Sequence, residues 1–139
     1  HPTNIAVVIR FDPPLGQRVY SGSDIFLMPS RHEPCGLGQL IAMRYGSVPV
    51  VRATGGLADT VTEFNARSND GTGFVFTEYN PTDMFGAISR ALETYHHSNT
   101  WSALVRNGMS RDSSWRVASR DYLNLYADAL RRRQANPTS

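Results

Sequence analysis

Two short stretches gather charged, nucleophilic and glycine residues closely enough to form a reactive or ligand-binding site. In Ser30-Arg31-His32-Glu33-Pro34-Cys35-Gly36-Leu37-Gly38 an arginine, a carboxylate and a thiol crowd together and run into two glycines. In Arg52-Ala53-Thr54-Gly55-Gly56 a cation and a hydroxyl precede a glycine pair. Glycines let a ligand approach the backbone, and a guanidinium matches phosphate oxygens. A carboxylate beside them could reach neutral hydroxyls, such as those of a sugar. The combination suits a phosphorylated ligand held by backbone amides. The plainer alternative is that the glycines only end helices and strands, while Arg31 and Glu33 form a surface ion pair. The two clusters fall in adjacent turns, and this favours a site.

Other chemistries fit less well. His32 and Glu33 are neighbours on an extended segment, so their side chains point to opposite faces and make a poor catalytic pair. Cys35 beside Glu33 and His32 could be a thiol nucleophile, but Pro34 and Gly36 around it point to backbone shape instead. His96 and His97 are consecutive, and the four histidines show no metal-ligand spacing; no metal and no cofactor are expected.

The elements that would position these clusters alternate. Ile5-Ala6-Val7-Val8-Ile9 reads as a strand buried on both faces. Asp12 followed by Pro13 and Pro14 predicts a capped helix over Leu15–Ser21. Ile25 to Pro29 reads as a strand, and Leu37 to Tyr45 as a helix with Leu37, Leu40, Ile41 and Tyr45 on one side. Val48 to Val51 reads as a further buried strand despite Pro49, which is awkward in a central strand. Leu57 to Phe64 predicts a short helix, Asn65 to Gly73 a surface loop and Phe74 to Phe76 a brief strand. Asn80-Pro81 starts a helix with Met84, Ile88, Ala91, Leu92 and Tyr95 on its apolar face. Another spans Thr100–Met109, with Trp101, Leu104 and Val105 inward. A last helix runs from Val117 to Arg133, its stripe made of Ala118, Tyr122, Leu125, Tyr126, Ala129 and Leu130. Gln134 to Ser139 reads as a frayed tail, and His1 as disordered. The result is an α/β fold: a partial Rossmann-like parallel sheet of four strands with flanking helices and a long C-terminal helix. Both clusters then lie at the carboxyl edge of the sheet, where open parallel sheets bind ligands and helix starts attract phosphate. The dinucleotide and P-loop fingerprints are absent.

Composition sets wide bounds. The 139 residues can form one domain, and the 40% hydrophobic content fits a globular protein. No apolar run approaches membrane-spanning length, so no membrane partner is expected. All 14 basic residues are arginine and the net charge is only +2. That is too little to argue for nucleic acid, and the triplet Arg131-Arg132-Arg133 suits the carbonyl end of a helix. The single cysteine excludes an intrachain disulfide. The chain begins at His1, not Met, and reads as a piece of something larger.

The string Ser30 to Leu37, continued by Ala42-Met43-Arg44-Tyr45-Gly46-Ser47-Val48-Pro49-Val50-Val51 and by Thr54-Gly55-Gly56-Leu57-Ala58-Asp59-Thr60-Val61, resembles the bacterial glycogen synthase and plant starch synthase family. Gly73 to Phe76, and Ser114-Trp115 with Tyr122-Leu123, extend the likeness over nearly the whole chain. The resemblance implies the carboxyl-terminal part of a GT-B glycosyltransferase. Residues 1–112 would belong to the nucleotide-sugar-binding Rossmann-like domain, with 113–139 as C-terminal helix and tail of the same unit. It implies retaining transfer of glucose from ADP-glucose to the non-reducing end of an α-1,4-glucan, without a required metal. The acceptor would bind through a first domain outside this chain. Localisation would be cytoplasmic in a bacterium and plastidial in a plant or alga.

Carried over by residue, the resemblance makes Glu33 the catalytic carboxylate that contacts the donor glucose and supports a positively charged transition state. Cys35, Gly36 and Leu37 match the turn near sugar and diphosphate, with Arg31 beside it. Gly38 stands where many members have a hydroxyl or amide side chain, so only its amide could serve. Thr54, Gly55 and Gly56 match the loop on the glucose-phosphate side, and Phe11 takes the place of an aromatic ring, usually Tyr, stacking on adenine. Ile41 stands where other retaining GT-B enzymes have a second glutamate, a feature shared with starch synthases. Ser113 replaces a frequent aromatic. The family's diphosphate-binding Arg and Lys would lie upstream of His1, so this chain alone should be inactive. Two alternatives stay open: a non-catalytic nucleotide- or glucan-binding remnant, and a GT-B transferase using another donor such as UDP-glucose.

Overall fold

A computed structural model describes residues 3–135; His1 and the end of the tail, 136–139, lie outside it. The elements run α1 (Pro13–Gly22), β1 (Ile25–Met28), α2 (Gly38–Tyr45), β2 (Val48–Arg52), α3 (Gly56–Thr60), β3 (Phe74–Phe76), α4 (Pro81–Tyr95), α5 (Ser98–Ser110) and α6 (Trp115–Ala135). The caps expected from sequence are in place. Asp12 accepts the Leu15 amide at 3.0 Å, and Asn80 accepts the Asp83 amide at 2.8 Å, each ahead of a proline in the first turn.

The sheet is parallel, in the order β1-β2-β3. Ile25 pairs with Val48 and Met28 with Val51, while Val50 pairs with Phe74 and Arg52 with Phe76. Pro49 sits in the central strand after all. The Val48 amide donates to Asp24 on the β1 side, so by alternation the Pro49 nitrogen faces the other side. There β3 begins only at Phe74, opposite Val50, and no ladder bond is lost.

Val48 and Val50 join Phe64, Phe74, Phe76, Ala87, Ala91 and Leu104 in the main core, which binds α4 and α5 to the sheet. Val51 enters a smaller cluster with Leu57 and Val61. Trp101, Leu104 and Val105 of α5 do turn inward, Leu104 fully. On α4 the buried stripe is Ala87 and Ala91, flanked by Met84 and Ile88; Leu92 is exposed. Tyr95 packs edge-on against Trp101 at a centroid separation of 5.0 Å.

Several expectations are corrected. The run Ile5–Ile9 forms no strand, and the described sheet has three strands, not four. Backbone amides of an apolar run become a strand only beside a partner, and among the described residues this segment pairs with none; Val7 is 76% exposed and Ile9 94%. The helix after Gly55 stops at Thr60. Val61 is extended, and Glu63 then bridges Gly73 in parallel, so 61–65 runs beside the approach to β3. Val61 and Phe64 are still buried, their β-branched surroundings favouring extension over another helical turn. Asn65 and Asp70 bridge within the expected loop. Gln134 and Ala135, expected in the tail, are the last residues of α6.

Helix α6 buries none of its residues. Of its apolar stripe, Tyr122, Leu125, Tyr126 and Leu130 are exposed, with the two tyrosine rings 6.3 Å apart. At its start Arg116 and Ser114 donate to the Asp112 carboxylate and hold that carboxyl well below the usual range. Among the described residues no helix is long and apolar enough to cross a membrane.

Candidate functional site

Both glycine-bearing clusters follow strands, and the fold brings them into direct backbone contact. The Gly56 amide donates to the Glu33 carbonyl at 3.1 Å and shares itself with Pro34 O at 3.3 Å. A Cβ on Gly55 would lie 2.0 Å from Glu33 O, and one on Gly56 1.9 Å from Cys35 O. No other residue type fits at either position. Gly55 also has φ +46° and Gly36 φ +73°, the left-handed region open to glycine. The missing side chains of Gly55 and Gly56 therefore admit the neighbouring turn, which carries Glu33.

Beneath the turn lies a residue the sequence reading missed. Gln39 is fully buried, and its Nε2 donates to Gly36 O at 2.9 Å and to Thr60 Oγ1 at 2.9 Å, with a longer contact to Cys35 O at 3.5 Å. Thr60 in turn donates to Gly56 O at 2.5 Å, which closes a circuit between the two loops. Gln39 Oε1 has no hydrogen-bond partner among the described residues. This anchoring turns α2 over: Gln39, Ala42 and Met43 form its buried face, while Leu37, Ile41 and Tyr45 are exposed. The signal available was a second stripe at helical spacing, with the glutamine three residues after Gly36.

The other expected residues take distinct places. Glu33 is half-buried, while Arg31 and Cys35 are exposed. Among the described residues the ion pairs include neither Arg31 nor Glu33, so the surface-pair alternative is not realised. Leu37 caps α2 with its backbone and without a side-chain hydrogen bond, which leaves the first amides of the helix without a cap from that residue. A Cβ at Gly38 would meet Tyr20 Oη at 3.2 Å and the Phe26 ring at 3.3 Å; this position packs against aromatics of α1 and β1. Thr54 is half-buried, its carbonyl accepting the Leu57 amide at 3.1 Å. Phe11 is 95% exposed, one residue ahead of the α1 cap, and the fold gives its ring no packing partner in the core. A cavity of about 290 Å³ opens beside these loops, lined by Pro29, Phe76, Tyr79, Asn80, Pro81 and Met84. No group of three or more His, Cys, Asp or Glu side chains that could hold a metal occurs among the described residues.

Glu33 thus stands at the sheet's carboxyl edge on a turn fixed by backbone contacts, beside helix amides that lack a side-chain cap, and such amides attract anions. Residues 9–108 match the family model of glycosyl transferases group 1. The chain belongs to this family. It is 53% identical over 131 residues to a glycogen synthase from Desulforudis audaxviator, covering 94% of this chain and 26% of that protein. A glycogen synthase from Kosmotoga olearia is 50% identical over 129 residues, covering 93% and 27%. The catalytic domain of starch synthase IV from Arabidopsis thaliana, solved bound to ADP and acarbose, superposes with a TM-score of 0.79 at 38% identity, over 87% of this chain and 25% of that one. The chain thus spans about a quarter of the length of the relatives it matches, and the architecture is that of part of a GT-B glycosyltransferase.

Proposed function

We propose that this group 1 glycosyl transferase chain is the donor-binding part of an ADP-glucose-dependent α-glucan synthase. Residues 1–112 would form the nucleotide-sugar unit, and 113–139 would be its terminal helix and tail. The observation that carries the reading is the Glu33 turn, clasped backbone to backbone by Gly55 and Gly56, in a chain about half identical to glycogen synthases.

In this reading the leaving nucleotide departs from the anomeric carbon and the sugar gains positive charge. Glu33 stabilises that charge, and a preorganised charge in a fixed frame lowers the barrier most. The amides of Gly36, Leu37 and Gly38, with Arg31 and the Cys35 turn, face the diphosphate and sugar. Thr54, Gly55 and Gly56 line the other loop, and Phe11 stacks on adenine. Exposure of the Phe11 ring supports this last role over a core role. The glucan acceptor is held by parts outside this chain. Localisation follows the host: cytoplasm in a bacterium, plastid in a plant or alga.

The test is transfer by the polypeptide of the whole reading frame that contains the chain. Labelled ADP-glucose should donate glucose to maltooligosaccharide, with labelled UDP-glucose clearly poorer. Preference for UDP-glucose would move the chain to another donor class. ADP or glucan binding without transfer would make it a non-catalytic remnant. The chain alone should transfer nothing, since holding donor and acceptor together accounts for about 7–11 kcal/mol of such barriers.

A further inference from the structure

Arg52, the last residue of the central strand, reaches to both of its neighbours. Its Nη1 donates to Arg31 O at 2.8 Å, in the loop after β1. Its Nε donates to Thr77 O at 3.1 Å, directly after β3. The guanidinium carbon also lies 5.4 Å from the centroid of the Tyr79 ring. Among the described residues it takes part in no ion pair. One planar group thus ties the carboxyl ends of all three strands together, and its charge is spent on carbonyls and a ring face.

We propose that Arg52 is a positioning residue that sets the Glu33 turn at its working height above the sheet. Arg31, whose carbonyl it holds, is two residues before Glu33. The Gly56 amide and the Gln39 amide hold the same turn on its far side, at Glu33 O and at Gly36 O. Without Arg52 the near side of the turn loses its side-chain tie from β2, while the far side stays fastened. The turn would then pivot about Gly56 and Gln39. A lysine could not replace the arginine, because one ammonium on a flexible stem cannot span two carbonyls and lie flat on a ring.

The geometric part stands by itself; its consequence for turnover rests on the function proposed above. Arg52→Lys and Arg52→Ala in the whole-reading-frame polypeptide should exchange amide hydrogens several-fold faster in the peptides covering 30–37 and 53–57. A peptide within α4 should be unchanged, which separates local loosening from general unfolding. Methylguanidinium should restore slow exchange in Arg52→Ala. The kcat for transfer should fall at least tenfold, with KM for ADP-glucose within threefold, and Arg106→Lys, on exposed α5 surface, should behave as the parent. Exchange at 30–37 within twofold of the parent in both variants would overturn the proposal, as would faster exchange in α4 of equal size that methylguanidinium leaves in place. If the parent itself transfers no glucose, the exchange result still decides Arg52, and only the proposed function falls.

Discussion

The middle of this chain and its two ends are equally rich in apolar residues, yet only the middle buries them. Val48, Val50, Val51, Leu57, Phe74 and Leu104 are almost wholly buried, whereas Ile5, Val7, Ile9, Tyr122, Leu125 and Leu130 are 51–94% exposed. The difference is one of partners. Strand β2 has a strand on each side and helices over it; among the described residues, 5–9 have no strand to pair with and α6 has no surface under its stripe. Apolar pattern states what a segment could bury, and neighbours decide whether it does. The two glycine loops lie at the end of the well-partnered region and are held there by backbone hydrogen bonds.

Forcing the two loops apart should do the most damage. Gly56→Ala puts a Cβ 1.9 Å from Cys35 O; stability should fall by about 4 kcal/mol or more, in the exceptional range for one substitution. Chemical denaturation of the whole-reading-frame polypeptide measures it, and a loss under about 1 kcal/mol would mean that the loops can separate freely. Next comes the core. Leu104→Ala, at a fully buried site, should cost about 2–5 kcal/mol. A smaller effect is expected at the exposed ring. Phe11→Ala should weaken ADP binding by about 1–3 kcal/mol, the worth of an aromatic stack on a base, while Phe11→Tyr keeps affinity. Calorimetry checks this, and equal affinities of the two variants would remove the ring from the donor site. Smallest of all, Leu125→Ala on this 139-residue chain should change stability by no more than about 0.5 kcal/mol. A loss as large as that of Leu104→Ala would erase the contrast between middle and ends.

Much of this was legible in the residues, for identifiable reasons. Capping chemistry is local, so Asp12 and Asn80 marked their helices correctly. Strand–helix alternation gave β1, β2 and β3 because each is short, apolar and bounded by turn residues. What failed was whatever depends on distant neighbours. Ile5–Ile9 has strand composition without a pairing edge. Residues 57, 61 and 64 have helical spacing and are all buried, yet the chain is extended from Val61 onward because it bridges the approach to β3. The face of α2 was misread because burial of a glutamine, with its amide on Gly36 O and Thr60, outweighs exposure of Leu37 and Ile41. Likewise Gly55 and Gly56 could be recognised as close-approach residues, but the sequence did not show that Glu33's own backbone is what approaches. Arg52 stood in the recognised cluster, and its reach to Arg31 and Thr77 needed the sheet to be assembled.

In the proposed function, chemistry occurs at the turn bearing Glu33. The decisive measurement is turnover of ADP-glucose by Glu33→Ala in the whole-reading-frame polypeptide, taken beside circular dichroism. Removing one preorganised electrostatic group of this kind costs about 10²–10³ in kcat, and Glu33 has no ion pair or side-chain hydrogen bond among the described residues whose loss would disturb the fold. Turnover should fall by at least that factor while the spectrum stays unchanged. Near-native turnover in a folded Glu33→Ala variant would contradict it.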